Sequence, residues 1–161
     1  LEILSVRAVP AGKRQVRELG RLMRPADRAE ILASGGWSDV ERCLRANVNR
    51  SVEAWAMYAD KDLLCIVGVL LGPNCQVPWV LTSVHVDNHP LTFWRASKEV
   101  VDKLRDKYPL MINMIHAKYG AALRWAERLG FTIMAPEKFG VAGDLFCKVV
   151  LDTRKIEVAC G

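Results

Sequence analysis

Metal ligands are scarce in this sequence. Its 161 residues include three histidines (His85, His89 and His116) and five cysteines, with no C-x-x-C pair. His85 and His89 are four apart, but Pro90 and the strand-like run before them argue against a shared helical face, so no metal site is expected. An odd cysteine count without paired spacing excludes a disulfide framework and a zinc knuckle and fits a reducing compartment. Cys65, set in an apolar run, reads as a small buried hydrophobe. No apolar run has transmembrane length, and the longest, Leu63 to Leu71, suits a buried strand. No signal-peptide pattern is present. The chain opens on Leu1 rather than methionine, which is compatible with trimming of a preceding segment.

Lys and Arg are not gathered into a dense block, although the formal charge is +5. The excess reads as a solubilising surface rather than a nucleic-acid footprint. Lys98, Lys103, Arg105 and Lys107 share one helix and read as its solvent face. Repeats, low-complexity segments and interdomain linkers are absent. A chain that is 51% hydrophobic and 25% charged fits one globular domain, expected over residues 1–152, with 153–161 as a loose tail.

Periodicity sets the expected elements. Ile3 to Val9 alternates as a first strand, ended by Pro10 and Gly12. Lys13 to Met23 is helical. Pro25 opens a second helix as a preferred first-turn residue, and Gly35-Gly36 stops it. Ser38 with Glu41 predicts a capping box on a third, short helix. Val52–Tyr58 and Leu63–Leu71 form a hairpin around Asp60-Lys61-Asp62. A fourth strand is expected from Pro78 to Val86. A long helix runs from Pro90 to Lys107, with Phe93, Val100, Val101, Leu104 and Tyr108 on its apolar face. Leu110–His116 is a strand, Gly120–Leu129 a helix, Phe131–Met134 a short strand, Ala135–Gly143 a loop and Asp144–Leu151 the last strand. Helices on both faces of a mixed sheet fit this order, and the long helix makes a right-handed crossover.

That order resembles the GNAT (N-acetyltransferase) superfamily. Tyr119 to Phe131, Y-G-A-A-L-R-W-A-E-R-L-G-F, is similar to its late motif N-x-x-A-x-x-x-Y-x-x-x-G-F, with Ala122, Gly130 and Phe131 matching. Pro78 to Lys103 has the strand-then-helix form of its acetyl-CoA motif. The resemblance implies an α/β, three-layer α/β/α fold with a mixed, mostly antiparallel sheet. A narrower resemblance covers Met23 to Met134. M-R-P-A-D-R-A-E-I-L-A-S-G (Met23–Gly35), P-W-V-L-T-S (Pro78–Ser83) and R-W-A-E-R-L-G-F look like the internal-virion-protein family of short-tailed coliphages, a GNAT-like family associated with particle assembly.

The superfamily holds the cofactor diphosphate on backbone N–H groups at a helix N-terminus, through [Q/R]-x-x-G-x-[G/A]. With Val86 closing the fourth strand, those positions fall on Leu91, Trp94 and Ala96. Only Ala96 fits, and the Trp94 indole would lie in the phosphate path. Candidate cofactor residues are then Val84, Val86 and Ala96, with Thr92, Arg95 and Lys98 as side-chain phosphate ligands in a shifted register. The motif's tyrosine, usually the general acid, is Ala126 here, which leaves Tyr119 as a weak substitute. Ser83, His85 and His116 are candidate bases, His85 foremost because it alternates with Val84 and Val86. Asp27 and Glu30, i and i+3 on the second helix, share a face beside the acceptor groove and are candidate amine ligands; the alternative is a solvated face paired with Arg24 and Arg28.

Two functional readings follow. In the first, the acetyl-CoA site is degenerate and the protein binds virion or host proteins in the host cytoplasm or particle, with weak or no acetyl transfer. In the second, it is an active acetyl-CoA-dependent N-acyltransferase acting on a small amine, a lysine or a protein N-terminus. Neither calls for a membrane, and nucleic acid is a third, lesser partner.

Overall fold

The computed structural model describes residues 1–154. In chain order these form β1 (Arg7–Pro10), α1 (Lys13–Leu22), α2 (Pro25–Gly35), α3 (Val40–Arg50), β2 (Ser51–Ala59), β3 (Asp62–Leu71), β4 (Gln76–Thr82), α4 (Pro90–Lys107), β5 (Leu110–His116), α5 (Gly120–Arg128), β6 (Thr132–Phe139) and β7 (Asp144–Asp152). A 3-10 turn, Val84–Asn88, joins β4 to α4. The sheet order is β1-β2-β3-β4-β5-β7-β6. Among the described residues only β4 and β5 run parallel; every other neighbouring pair is antiparallel. Among the described residues no helix is long and apolar enough to cross a membrane.

The period-2 alternation of the strands feeds two cores. Met57, Leu64, Val69, Met111, Val149 and Leu151 pack under α4 and α5. Ala56, Tyr58, Ile66 and Trp79 pack under α1, α2 and α3 with Leu19 and Leu44, both fully buried. Burying each such leucine contributes about 1.5–3 kcal/mol. α4 turns Ala96, Ser97, Val100, Val101 and Leu104 inward, the one-sided stripe that its spacing predicts. α2 starts at Pro25 and ends at Gly36, whose φ of 70° is the left-handed cap that glycine favours. Trp79 lies flat on β3 at Gly68, where a Cβ would sit 2.7 Å from the indole. Its Nε1 donates to Ser51 Oγ at 2.9 Å.

The parallel junction is the feature that makes a site. A single Cα pair, Gln76↔Met111, joins β4 to β5, whereas β4 pairs with β3 along its whole length. Pro78 explains the parting. A strand residue points its N–H and C=O to the same side. The Pro78 carbonyl accepts from Asn113 Nδ2 on β5 at 2.7 Å, so the N–H that proline lacks is missing from the β5 side. A side-chain bridge stands where a ladder bond would otherwise form.

Several expected boundaries move, for local reasons. The first strand begins at Arg7 rather than Ile3 because Leu4 N and Ser5 N donate to the Glu99 carboxylate, at 2.6 and 3.1 Å, instead of joining a ladder. Asp39, not Ser38, caps α3 by accepting from Arg42 N at 3.0 Å, and the helix is not short but reaches Arg50. The fourth strand stops at Thr82 rather than Val86. The buried Ser83 hydroxyl donates to the Leu63 carbonyl and accepts the His85 N–H, which turns the backbone into the 3-10 segment. β6 continues through the expected loop to Phe139, because Pro136 falls at a register shift in an edge strand, where its missing N–H is tolerated. Of the expected tail, Thr153 N donates to the Pro109 carbonyl at 2.9 Å; residues 155–161 lie outside the described residues.

Candidate functional site

The start of α2 is pinned to the end of β4. Met23 and Ser83 form an isolated bridge, and Arg24 N donates to the Thr82 carbonyl at 3.0 Å. This docking carries the two carboxylates of α2 to the parted strand ends. Asp27 Oδ2 accepts both the amide and the hydroxyl of Thr82, each at 2.6 Å, at the end of β4. One turn on, Glu30 Oε2 accepts the amide of His116 at 3.3 Å, at the end of β5. The i, i+3 spacing visible in the sequence thus spans the mouth of the gap.

Their environment raises both pKa values. Burial lifts Asp27 above the ordinary carboxylate range, opposed by the two Thr82 hydrogen bonds and the Arg24 charge. Burial pushes Glu30 up to about 7; the Asp27 charge adds to the rise, while the His116 amide and ring oppose it. Two nearby carboxylates in a low-dielectric mouth resist carrying two charges. The Tyr119 phenol is also raised, first by burial and then by the charges of Glu30 and Asp27.

A cavity of about 480 Å³ opens from this mouth and passes between β4 and β5 to the opposite face of the sheet. Its near end is lined by Arg24, Asp27, Glu30, Thr82, Lys118 and Tyr119. Its far wall comes from α4, α5 and the sheet: Phe93, Ala96, Val100, Val101, Leu104, Trp125 and Phe131 among others. The Trp125 indole N–H in that wall is buried without a hydrogen-bond partner among the described residues. Cys65 also faces the cavity, and burial raises its thiol far beyond nucleophilic use.

Of the sequence-predicted site residues, Asp27, Glu30, Tyr119 and Ala96 line this cavity and His85, Val84, Val86, Thr92, Arg95 and Lys98 do not. His85 leaves the sheet with the 3-10 turn, which removes the strand alternation that recommended it as a base. Val84 is exposed, and Val86 is buried in the α4 core. Lys98 pairs with Asp102 at 3.5 Å. Ser83 is consumed as a turn cap. His116, 5% exposed, is fully engaged. Its Nδ1 accepts the Lys118 N–H at 3.2 Å, so Nε2 carries the proton donated to Asp144 at 2.9 Å. Sequence reasoning missed Thr82, Asn113 and Lys118. A proline in a strand followed by an asparagine in the next was the available signal for Asn113.

Coenzyme A, which the resemblance implies, can be tested against these residues. The apolar gap suits a narrow flexible arm, and the diphosphate end would meet the first turn of α4. α4 begins on Pro90, which has no N–H to offer, and the His89 N–H is used by the Val86 carbonyl at 3.2 Å, which leaves the Leu91 and Thr92 amides as first-turn donors. No glycine lies between Gly72 and Gly120 to let backbone approach phosphate. The entry between α4 and α5 is clasped: Phe93 stacks on Trp125 at 6.0 Å and 8°, and the Arg128 guanidinium sits 4.7 Å over the Trp94 ring. Trp94 therefore faces α5 and does not project into the cavity.

No protein-family model matches the sequence, and no match is found among curated proteins. Solved structures do match. The RimL ribosomal L7/L12 alpha-N-protein acetyltransferase in complex with coenzyme A aligns with a TM-score of 0.69 at 11% identity, over 92% of this chain and 94% of that one. A Bacillus subtilis acetyltransferase in complex with CoA gives 0.66 at 14%, over 91% and 98%. A spermidine N-acetyltransferase SpeG chimera from Vibrio cholerae and hSSAT gives 0.67 at 9%, over 94% and 98%. The chain has the GNAT acetyltransferase fold.

Proposed function

We propose that this GNAT-fold protein binds an amine-bearing ligand between Asp27 and Glu30 at the parted ends of β4 and β5, with weak or no acetyl transfer. The observation that carries this reading is the mismatch within one cavity. Its mouth holds two inward-facing carboxylates placed by Thr82 and His116, while the place where a nucleotide-bearing thioester needs phosphate donors begins with a proline and an aromatic clasp. A buried carboxylate stabilises an ammonium more strongly than an exposed one because water does not screen the pair. The likeness of Met23–Met134 to internal virion proteins supports a role through binding, with a virion or host protein presenting a lysine or N-terminal amine as a macromolecular partner.

Calorimetry with acetyl-CoA tests it. Binding is expected to be absent or millimolar, with no rise in melting temperature at saturating ligand, whereas any native-state ligand of micromolar affinity raises it. Micromolar binding would overturn the reading. One observation favours the second reading, an active N-acetyltransferase: a carboxyl held near 7 at the mouth has the affinity of a general base for an amine proton. Release of free coenzyme A thiol that depends on added amine would establish it.

A further inference from the structure

The amine occupies only the mouth of the cavity. Among the described residues, every charged one that lines it, Arg24, Asp27, Glu30 and Lys118, belongs to the start of α2 or to the link after β5. Past the gap, the space under α4 is walled by Val100, Val101, Leu104, Leu129, Phe131 and Val149. We infer that the ligand is an amphiphilic primary amine, its ammonium held between Asp27 and Glu30 and its unbranched apolar chain threaded through the gap between β4 and β5 into the space under α4. This rests on the amine-binding reading and adds the chain.

Three arguments select this class. A polyamine would carry its second ammonium onto a wall with no carboxylate among the described residues, where an unpaired charge is costly. A fatty acid would set its carboxylate against Asp27 and Glu30, while Lys118 is exposed and Arg24 reaches out toward Asp87 at 4.0 Å. A branched chain would meet the bridge from Asn113 to Pro78 that closes one end of the gap. The volume, about 480 Å³, lies within the range of small-molecule sites, which are mostly apolar with a few placed polar groups.

The test is a calorimetric series from butylamine to dodecylamine, below micellar concentration, with decanoate and spermidine as controls. Affinity is expected to rise roughly fourfold per added methylene, the fold-change of burying one CH₂, and then level off once the cavity is full. Decanoate is expected to bind at least about tenfold more weakly than decylamine, and spermidine no more tightly than butylamine. Val101→Phe should bring the plateau to a shorter chain; Ala96→Leu serves the same purpose if the first variant folds poorly. A flat chain-length dependence, equal binding of decanoate, tighter binding of spermidine, or an unmoved plateau in the filled variants would each overturn the chain assignment while sparing the amine site. No binding by any amine would overturn both.

Discussion

Asp27→Ala is expected to cost about 3 kcal/mol of stability and to weaken amine binding by at least about tenfold. The carboxylate accepts both donors of Thr82, and Thr82 is buried. Alanine leaves an amide and a hydroxyl unsatisfied, and each such group costs about 1–3 kcal/mol. The same hydrogen bonds tie α2 to the end of β4, so the loss also loosens the mouth. Asp27→Asn separates the two roles, because the amide oxygen still accepts from Thr82 while the charge is gone. Urea melts should show most of the stability restored in the asparagine variant. Calorimetry with decylamine should show its affinity still reduced at least about tenfold. An asparagine variant that binds the amine as tightly as the parent would remove Asp27 from the ligand's first contacts.

Glu30→Gln should change the pH dependence of both stability and binding. The groups facing Glu30 are Asp27 and Arg24 from α2 and its cap, and His116, Lys118 and Tyr119 from the end of β5 and the link beyond it; Asp144 on β7 holds the far side of the His116 ring. The folded carboxyl titrates at about 7 against an ordinary 4.5. The folded state therefore binds the proton more tightly than the unfolded chain. The stability this contributes is fully present below about 4.5 and is lost as pH rises through about 7. At about 1.4 kcal/mol per pH unit, the interval from 4.5 to about 7 corresponds to about 3.5 kcal/mol. Glutamine does not titrate, so the variant should match the parent near pH 4 and be the more stable of the two at pH 8. Amine binding by the parent should strengthen between pH 5 and 7, by up to about tenfold per unit, as Glu30 becomes charged, and should rise less steeply in the variant. Parallel stability curves for the two proteins would show that Glu30 is solvated like any surface carboxylate.

Much of the scaffold was legible because it rests on local patterning. Pro25 and the Gly35-Gly36 pair bracket α2, and the inward stripe of Val100, Val101 and Leu104 on α4 follows from helical spacing alone. The spacing of Asp27 and Glu30 was visible too, but not what they span. Their partners, Thr82 and His116, are 55 and 86 residues away in sequence, and only the docking of α2 on the end of β4 brings them together. The end of β4 was hidden because Val84-His85-Val86 imitates strand alternation. A serine hydroxyl that bonds two backbone groups decided otherwise, and His85 left the site with it. Phe93 and Trp94 pack against the core as helix-face residues, and Trp94 also carries the Arg128 guanidinium of α5 on its ring. The parting of β4 from β5 depends on which side of the strand Pro78 presents, a fact fixed by its register against Val69 and Asn113.

A crystal structure of the protein grown with acetyl-CoA and decylamine together tests the account most directly. The cavity should hold the amine, its nitrogen within hydrogen-bonding distance of the Asp27 and Glu30 carboxylates and its chain under α4, with Phe93 still stacked on Trp125 and Arg128 still over Trp94. Density for coenzyme A against Pro90 at the head of α4, with that clasp parted, would contradict it.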